Sequence, residues 1–313
     1  MTHSIEERSL ADRVTRRIEV ENSFARTGRT YRKNRFELWR DSHVIPRLLK
    51  IGLQATGLYA RGVKNALAPV VRTLYFDFDN LPAAFHGFQI LHLSDFHIDR
   101  HNALADRVVS VIRGLKPDLC VFTGDYRFES RGPSDGVYPP MRSIVSSISS
   151  KHGVFGILGN HDAAEIAFAL EEMGVRMLVN EAVAIGKGSA SLWLAGVDDP
   201  FDYRCDDLPG ALSAVPLQGF KILLAHTPDL YEEAATRAVD LYLCGHTHAG
   251  QIRFPLIGPL HRNSKTPRAC AYGCWRRKQM HGYTTAGVGC SGLAVRFNCS
   301  PEVALIELRR GIP

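Results

Sequence analysis

The sequence predicts an α/β fold, a four-layer α-β-β-α sandwich of two packed mixed sheets with an N-terminal helical extension. From residue 70 to residue 173, short apolar runs alternate with helical segments, which is the pattern of βαβ units with buried strands. From residue 175 onward strand-type runs become denser. This change indicates a second sheet that packs face to face on the first, with helices outside.

The elements follow from the local pattern. Residues 74–78 alternate as an opening strand, whereas residues 88–93, 118–122 and 153–158 are apolar runs typical of strands buried on both faces. Helical spacing of apolar residues predicts the helices 103–115, 139–149, 163–173 and 229–237. The remaining predicted strands are 175–179, 182–185, 191–197, 220–225, 239–243, 251–254, 283–286 and 303–308.

Charge and hydrophobic pattern divide the chain after residue 69, into a basic helical extension over residues 1–69 and the main α/β domain over residues 70–313. Residues 1–65 carry 14 Lys and Arg against 7 Asp and Glu, an excess of +7 within a total net charge of +6. A basic arm of this kind is typical of proteins that meet an anionic surface, either a membrane leaflet or nucleic acid. A solvated basic helix has the same composition, so charge alone leaves both interpretations open.

Residues 44–68 are amphipathic on a helical wheel. Apolar side chains cover one face, and the opposite face gathers Arg47, Lys50, Gln54, Arg61, Lys64 and Asn65. A segment of this kind either lies in the plane of an anionic membrane or packs on the domain with its basic face in water, and the pattern leaves both interpretations open. Its longest uncharged part, residues 51–60, is too short for a spanning helix, which needs about 20 residues.

The expected location is the cytoplasm. If residues 44–68 bind a membrane, the protein is expected to lie at the inner face of that membrane as a peripheral protein. The first residues are polar and charged, so no secretory signal is expected. Seven Cys, an odd number, fit a reduced compartment. The sequence does not predict the oligomeric state.

Metal-binding residue types follow the ends of predicted strands in five places. The places are Asp95-Phe96-His97, Gly124-Asp125, Gly159-Asn160-His161-Asp162, His226 and Gly245-His246-Thr247-His248. Open α/β sheets bind ligands at the carboxyl ends of their strands, because the loops converge there. Such a set can hold two divalent metal ions and leave a histidine and a carboxylate for acid–base chemistry.

These blocks resemble the signature of the calcineurin-like metallophosphoesterase superfamily, over roughly residues 74–313. Residues 295–297 and 301–303 are similar to its membrane-associated bacterial branch, which has phosphodiesterase or UDP-2,3-diacylglucosamine pyrophosphatase activity. That branch often begins with a spanning helix, which this sequence lacks. Serine/threonine protein phosphatases continue the second block as Asp-Arg-Gly, whereas this chain has Tyr126-Arg127-Phe128, which argues against a protein phosphatase.

The resemblance implies a set of ligands for two divalent metal ions. It assigns Asp95, His97 and His248 to the first ion, Asn160, His226 and His246 to the second, and Asp125 to both. Imidazole and carboxylate ligands suit Mn, Fe and Zn, and a carboxylate-rich set would suit Mg; we favour Mn. Gly124, Gly159 and Gly245 are expected to let the backbone turn tightly before each ligand.

The mechanism we expect is in-line hydrolysis, in which a hydroxide bridging the two metals attacks phosphorus. His161 is expected to protonate the leaving oxygen as the general acid, with a structural hydrogen bond as the alternative role. Asp162 is expected to hold the His161 ring in the correct tautomer. Asn160 and Arg127 are expected to contact the substrate phosphate.

The predicted activity is hydrolysis of a phosphodiester or pyrophosphate bond in a lipid-linked or nucleotide substrate, and by resemblance our first choice is a UDP-linked diacylated glucosamine. One alternative is a broad, soluble nucleotide phosphodiesterase. An alternative of another class is a non-catalytic metal-binding scaffold. No nucleic-acid partner is expected, because the basic arm lacks the interleaved aromatic residues that stack on bases.

Overall fold

The computed structural model of the protein describes residues 8–27, 44–259, 264 and 266–311, with the side chains of the second range described from residue 47. Much of the predicted basic arm therefore lies outside the described residues. Within the described part the helices are α1 (Leu10–Thr27), α2 (Val44–Ala55), α3 (Leu58–Ala66), α4 (Leu104–Ile112), α5 (Tyr138–Ser146), α6 (Ala164–Glu172), α7 (Leu208–Ala211) and α8 (Tyr231–Thr236). The strands are β1 (Val70–Phe78), β2 (Phe88–Leu93), β3 (Leu119–Phe122), β4 (Val154–Gly156), β5 (Val175–Met177), β6 (Glu181–Lys187), β7 (Ala190–Gly196), β8 (Lys221–Leu224), β9 (Leu241–Cys244), β10 (Arg253–Phe254), β11 (Gly258–Pro259), β12 (Gly273–Arg277), β13 (Met280–Thr284) and β14 (Glu302–Arg310).

Two six-stranded sheets form the middle of the molecule. The first has the order β1-β14-β2-β3-β4-β5, and the second has the order β12-β13-β9-β8-β7-β6. Strands β2 to β5 are parallel, as are β7, β8, β9 and β13. Antiparallel pairs join β14 to β2, β12 to β13 and β6 to β7. Both sheets are therefore mixed, as the sequence predicts.

Alternate side chains of each strand enter different apolar layers. Ile90 of β2 lies in the core between the sheets together with Ile222 and Leu243 of the second sheet. Leu91, the next residue of β2, lies with the helices α4, α5 and α6 on the outer face of the first sheet. A third layer packs α7 and α8 on the outer face of the second sheet. The four-layer sandwich is thereby confirmed.

Two details of the second half differ from the prediction. No strand was predicted at residues 273–277, yet β12 forms the edge of the second sheet there. Trp275 points into the core, whereas Arg276 and Arg277 are exposed, and these two arginines mask the strand pattern in the sequence. The predicted strand 251–254 is reduced to the two residues of β10, which pair with β11 in a separate hairpin.

The N-terminal helix α1 lies on the catalytic domain. Its Val14, Arg13 and Arg17 are buried, and Val14 joins the same apolar layer as α6. The helices α2 and α3 follow after the gap in the described residues, and α2 has no buried side chain among those described. None of the described helices is both long enough and apolar enough to cross a bilayer.

Candidate metal centre

The five predicted blocks meet between the carboxyl ends of the two sheets. Asp95 and His97 follow β2, Asp125 follows β3 and Asn160 follows β4, while the second sheet contributes His226 after β8 and His246 and His248 after β9. All seven side chains are buried, with exposures between 0% and 5%. Burial of seven polar side chains costs free energy unless they hydrogen-bond or pair with one another, or bind a cation.

The donor atoms form two groups. In the first, His97 Nε2 lies 3.2 Å from His248 Nε2, which lies 3.4 Å from Asp95 Oδ1. In the second, Asn160 Oδ1 lies 3.0 Å from both His226 Nε2 and His246 Nδ1.

Asp125 lies between the two groups. Its Oδ2 is 3.2 Å from His226 Nε2 and 3.6 Å from His97 Nε2. Ligand atoms about 2.1 Å from a tetrahedral ion are separated by about 3.4 Å from each other. The observed spacings therefore fit donor sets that converge on divalent metal ions.

Hydrogen bonds on the outer side of the ligands fix their orientation. The Nδ1 atoms of His97 and His226 bond to the carbonyl oxygens of Arg127 and Thr123 at 2.8 and 2.7 Å. These bonds assign the proton to Nδ1 and leave Nε2 facing the centre.

The Asn160 amide is oriented in the same way. Its Nδ2 donates to the carboxylate of Asp202 at 2.9 Å. The bond turns Oδ1 inward, so that the oxygen rather than the nitrogen is the available ligand atom.

Backbone strain is concentrated in the same residues. Five of the seven have a positive φ, namely Asp95 (53°), His97 (39°), Asp125 (58°), His246 (70°) and His248 (49°). Non-glycine residues adopt this left-handed region rarely, and such strain costs about 1–3 kcal/mol per residue. Strain of this kind clusters at functional sites, so its coincidence with the donor residues supports a functional centre here.

The three motif glycines act in two ways. Gly124 has a φ of 90°, so the expected tight turn is present before Asp125. Gly159 and Gly245 do not need a positive φ, and what matters there is the missing Cβ. A Cβ at Gly159 would overlap the backbone and carboxylate of Asp125, and one at Gly245 would overlap the carboxylate of Asp95.

Burial and mutual charge set the ionisation of the centre. Burial raises the pKa of Asp95 to about 6 and lowers the pKa of His97 to about 3. Burial also opposes a charge on His226, but the neighbouring Asp125 carboxylate outweighs it and raises the pKa of His226 to about 10. Asp125 and His226 therefore form an ion pair, and a cation held by these two residues would have to displace the His226 proton.

His161 lies at the edge of this centre and is half-buried. One of its ring nitrogens, a donor atom of His97 and a carboxylate oxygen of Asp125 all lie within 4.8 Å of one another. Its Nδ1 donates to the carbonyl oxygen of Phe128, and its backbone N–H donates to Asp125 Oδ1 at 2.9 Å. The ring is thus fixed by a backbone carbonyl, and its other nitrogen is left for chemistry.

The expected pairing of Asp162 with the His161 ring is wrong. The Asp162 carboxylate instead accepts backbone N–H groups of Asp125, Tyr126 and Gly159, each at 2.8 Å. Asp162 therefore joins the loop after β3 to the loop after β4. Its contribution to the centre is to hold two ligand-bearing loops together.

Arg127 lies in the loop after Asp125, and its contact with substrate stays a prediction. Arg127 is 4% exposed, and its guanidinium donates to the carbonyl oxygens of His161, Gly132 and Ser130. All three nitrogens are engaged in this way, so the side chain braces the loop after Asp125.

Sequence reasoning missed three residues that touch the ligand loops: Arg17, Asp202 and Arg296. Asp202 follows the predicted strand 191–197 in a loop that begins with Asp198 and Asp199. This loop repeats the pattern of carboxylates after a strand end, which could have revealed it. Arg296 Nη2 lies 3.4 Å from His248 Nδ1, within the motif of residues 295–297. No signal in the sequence points to Arg17.

Known proteins with similar sequences were compared with this chain. Residues 88–250 match the model of the family described as calcineurin-like phosphoesterase. Phosphodiesterase YaeI of Escherichia coli (strain K12) is 32% identical over 234 residues, which is 71% of this chain and 82% of the relative. An uncharacterized metallophosphoesterase, YkuE of Bacillus subtilis (strain 168), is 30% identical over 243 residues, or 73% of this chain and 82% of the relative.

Among solved structures, a 5'-nucleotidase precursor of Thermus thermophilus aligns with a TM-score of 0.40 and 14% identity, covering 70% of this chain and 54% of the other. The fold, the donor set and the sequence relatives together define a metal-dependent phosphoesterase. The chain belongs to the calcineurin-like phosphoesterase family.

Proposed function

We propose that the protein hydrolyses a phosphodiester or pyrophosphate bond by in-line displacement at two divalent metal ions. The observation that carries the proposal is the presence of two donor groups joined through Asp125, whose Oδ2 lies 3.2 and 3.6 Å from a histidine nitrogen of each group. Two ions held in this way would supply an ionised water at neutral pH and offset the negative charge of the phosphate.

The chain's own residues divide the work. Asp95, His97 and His248 would hold one ion, and Asn160, His226 and His246 the other. Four imidazoles and one amide among seven donors favour Mn, Fe or Zn over Mg, and Mn is our first choice. Asn160 is adjacent in sequence to the proposed general acid His161. It is therefore also our candidate for contact with the substrate phosphate.

His161 would protonate the leaving oxygen. Its Nδ1 proton is held by the Phe128 carbonyl, so a proton on Nε2 is the one that can be transferred. Asp162 assists indirectly, because it keeps the loops of Asp125 and His161 in register.

A diester is favoured as the substrate, because the relative YaeI is named a phosphodiesterase. The resemblance of residues 295–297 and 301–303 favours a pyrophosphate, and a UDP-linked diacylated glucosamine remains our first choice among lipid-linked substrates. A nucleotide diester is the soluble alternative. The complete donor set argues against a non-catalytic scaffold.

We also propose that residues 44–68 bind an anionic membrane at the inner face of the cell membrane. Leu48 and Ile51 of α2 are 64% and 61% exposed, and Arg47 and Lys50 beside them are exposed too. A helix packed on the domain by its apolar face would bury those two side chains. The exposed pair therefore favours the in-plane membrane helix over the packed alternative.

Hydrolysis of bis(p-nitrophenyl) phosphate by metal-stripped protein tests the catalytic proposal. We expect activity to return when Mn, Fe, Zn or Co is added, and to stay absent in Asp125→Ala with every metal. Asp106→Ala, which removes an exposed carboxylate of α4, is the matched control and should behave as wild type. Activity that survives metal removal, or that persists in Asp125→Ala, would contradict the proposal.

A further inference from the structure

Two stretches of this chain contain no acidic residue. Residues 42–76 have five Lys and Arg and no Asp or Glu, and residues 241–301 have eight Lys and Arg and no Asp or Glu. Acidic residues are otherwise spread along the chain, which has 32 of them. Such stretches contribute basic side chains and no acidic side chain of their own to the surface near them.

The two stretches meet at residues 295–298. The backbone N–H of Arg296 donates to Gly62 O of α3 at 3.0 Å, and the backbone N–H of Arg253 donates to Phe297 O at 3.0 Å. The helix α3 and the β10–β11 hairpin therefore lie beside the same segment. The helix α3 and the hairpin both adjoin residues 296 and 297, from which they are separated by hydrogen bonds of 3.0 Å.

Large apolar side chains are exposed on the hairpin and on α2, the helix that precedes α3. In the hairpin Phe254, Leu256 and Ile257 are 48%, 108% and 80% exposed, and Leu48 and Ile51 of α2 are exposed as well. Isolated exposed apolar residues are ordinary, but a group of them within a basic surface is typical of membrane contact. The basic charge would also attract nucleic acid, but exposed leucine and isoleucine side chains do not stack on bases as aromatic side chains do.

We propose that α2, α3 and the β10–β11 hairpin form one docking surface for an anionic bilayer, with Leu256 and Ile257 inserted among the lipids. The hairpin begins five residues after the metal-centre residue His248, and a cavity of about 140 Å³ lined by Arg253, Arg268 and Tyr272 lies between them. A bilayer docked on this surface would bring an amphiphilic phosphodiester close to the centre. That last step rests on the proposed catalytic function, and the part of α2 and α3 extends the proposed membrane binding of residues 44–68; the insertion of the hairpin rests on neither.

Flotation of the full-length protein with vesicles tests the docking surface. We expect wild type to float with vesicles of equal parts phosphatidylglycerol and phosphatidylcholine, and not with phosphatidylcholine alone. The double variant Leu256→Asp/Ile257→Asp should bind the anionic vesicles at least tenfold more weakly. Leu217→Asp is the matched control, because Leu217 is 90% exposed and precedes β8, at the end of the sheet away from the metal centre.

The double variant should still hydrolyse bis(p-nitrophenyl) phosphate as wild type does, so loss of docking and loss of catalysis are separable. Equal vesicle binding by wild type and the double variant would overturn the proposal. So would an equal loss in Leu217→Asp, or binding of duplex DNA or RNA that competes with the vesicles at equal affinity. Vesicle binding with no activity on any diester would refute the proposed function and leave the docking surface standing.

A second inference rests on α1. Arg17 is fully buried, and its guanidinium donates to Asp198, to Gly159 O and to Asp162 O, the last at 2.8 Å. The same guanidinium stacks on the Tyr203 ring at 3.7 Å from the ring centroid. Tyr203 itself donates to Asp162 O at 3.0 Å.

These bonds fall on the two ends of the loop that carries Asn160 and His161. The carbonyl oxygens at residues 159 and 162 are both held by Arg17, which is 142 residues from Gly159 in sequence. The helix α1 lies outside residues 88–250, the part of the chain that matches the family model. We infer that Arg17 is a positioning residue, through which α1 sets the geometry of the Asn160–His161 loop.

Arg13 provides a matched control for this inference. It is also a buried arginine of α1, but it bonds to Met177 O at 2.6 Å and to Glu181, away from the metal centre. Removal of either arginine weakens the attachment of α1, whereas only removal of Arg17 releases the loop.

The test compares Arg17→Met and Arg13→Met in the full-length chain, with Mn titrated calorimetrically and kcat and KM measured on bis(p-nitrophenyl) phosphate. We expect Arg17→Met to lower kcat at least tenfold at unchanged KM and to weaken Mn binding, and Arg13→Met to lower the melting temperature alone. Arg17→Lys should recover stability but not full kcat, because an ammonium cannot span the carboxylate and both carbonyls. Equal effects of the Arg17→Met and Arg13→Met substitutions, or wild-type kcat and Mn affinity in Arg17→Met, would overturn the inference. If wild type is inactive, the Mn titration still decides the role of Arg17.

Discussion

The ionisation of single residues around Asp125 governs how the centre takes up metal. His226 is held in its protonated form by the Asp125 carboxylate, with its pKa raised to about 10, whereas burial keeps His97 neutral with a pKa of about 3. His226 must therefore lose a proton before it can bind an ion, whereas His97 is already neutral and can bind directly. At the residue scale this asymmetry makes metal binding and proton release the same event.

Metal affinity should accordingly rise with pH. Between pH 7 and 8 His226 is protonated in the free protein and deprotonated in the bound form, so one proton is released and affinity rises about tenfold per pH unit. Below pH 6 the Asp95 carboxyl is also protonated, since its pKa is raised to about 6, and the dependence becomes steeper. Calorimetric titration with Mn in buffers of different ionisation enthalpy measures the released protons. Binding that releases no proton at pH 7.5 would contradict this assignment.

His161→Ala should separate catalysis from metal binding. The metal content should stay at the wild-type value, because His161 is held by Phe128 and is not required as a ligand. Turnover should fall by roughly 10²–10⁴ on a diester with an alcohol leaving group, the usual span of general-acid catalysis. The loss should be much smaller on bis(p-nitrophenyl) phosphate, whose leaving group needs no proton. Loss of metal in His161→Ala would show that the residue is a ligand instead.

At the scale of elements, the loops after the strands carry the site, and hydrogen bonds between loops align them. Asp162 is the main connection, since its carboxylate receives backbone N–H groups from two loops. The sheets below the loops are rigid because apolar side chains pack on both faces. The alignment of the ligand residues therefore depends on a few hydrogen bonds between loops, such as those to Asp162, and on the packed sheets that carry these loops.

Asp162→Ala should disturb the site more broadly than His161→Ala does. It leaves three buried N–H groups without their acceptor, each at a cost of about 1–3 kcal/mol. We expect a lower melting temperature and a loss of bound Mn together with activity. If Asp162→Ala kept its stability and bound metal and lost only protonation of the leaving group, the predicted pairing of Asp162 with the His161 ring would be correct.

Gly245→Ala tests the close approach of the loop after β9 to the loop after β2. An added Cβ would overlap the Asp95 carboxylate, so we expect weaker Mn binding and at least a tenfold loss of activity. Gly186→Ala is the matched control, since a Cβ there meets no atom within 4 Å. Similar metal affinities in the two variants would show that the loop can shift without cost.

At the scale of the whole molecule, two sheets bring together residues that are far apart in sequence. The continuous apolar runs predicted β2 and the other central strands, and the polar residues after them predicted where the ligands would meet. What could not be predicted depends on contacts that leave no local pattern. The partner of His161 is a backbone carbonyl, Arg17 acts across 142 residues, and the arginines of β12 conceal an edge strand.

The central claim is that two metal ions act together at this centre. The most direct test is the rate of bis(p-nitrophenyl) phosphate hydrolysis by metal-free protein, measured as Mn is added in known equivalents per chain. The account predicts that the rate rises until two equivalents are bound and then stays constant. A rate that reaches its maximum at one equivalent, or that does not respond to Mn or to any other divalent ion, would contradict it.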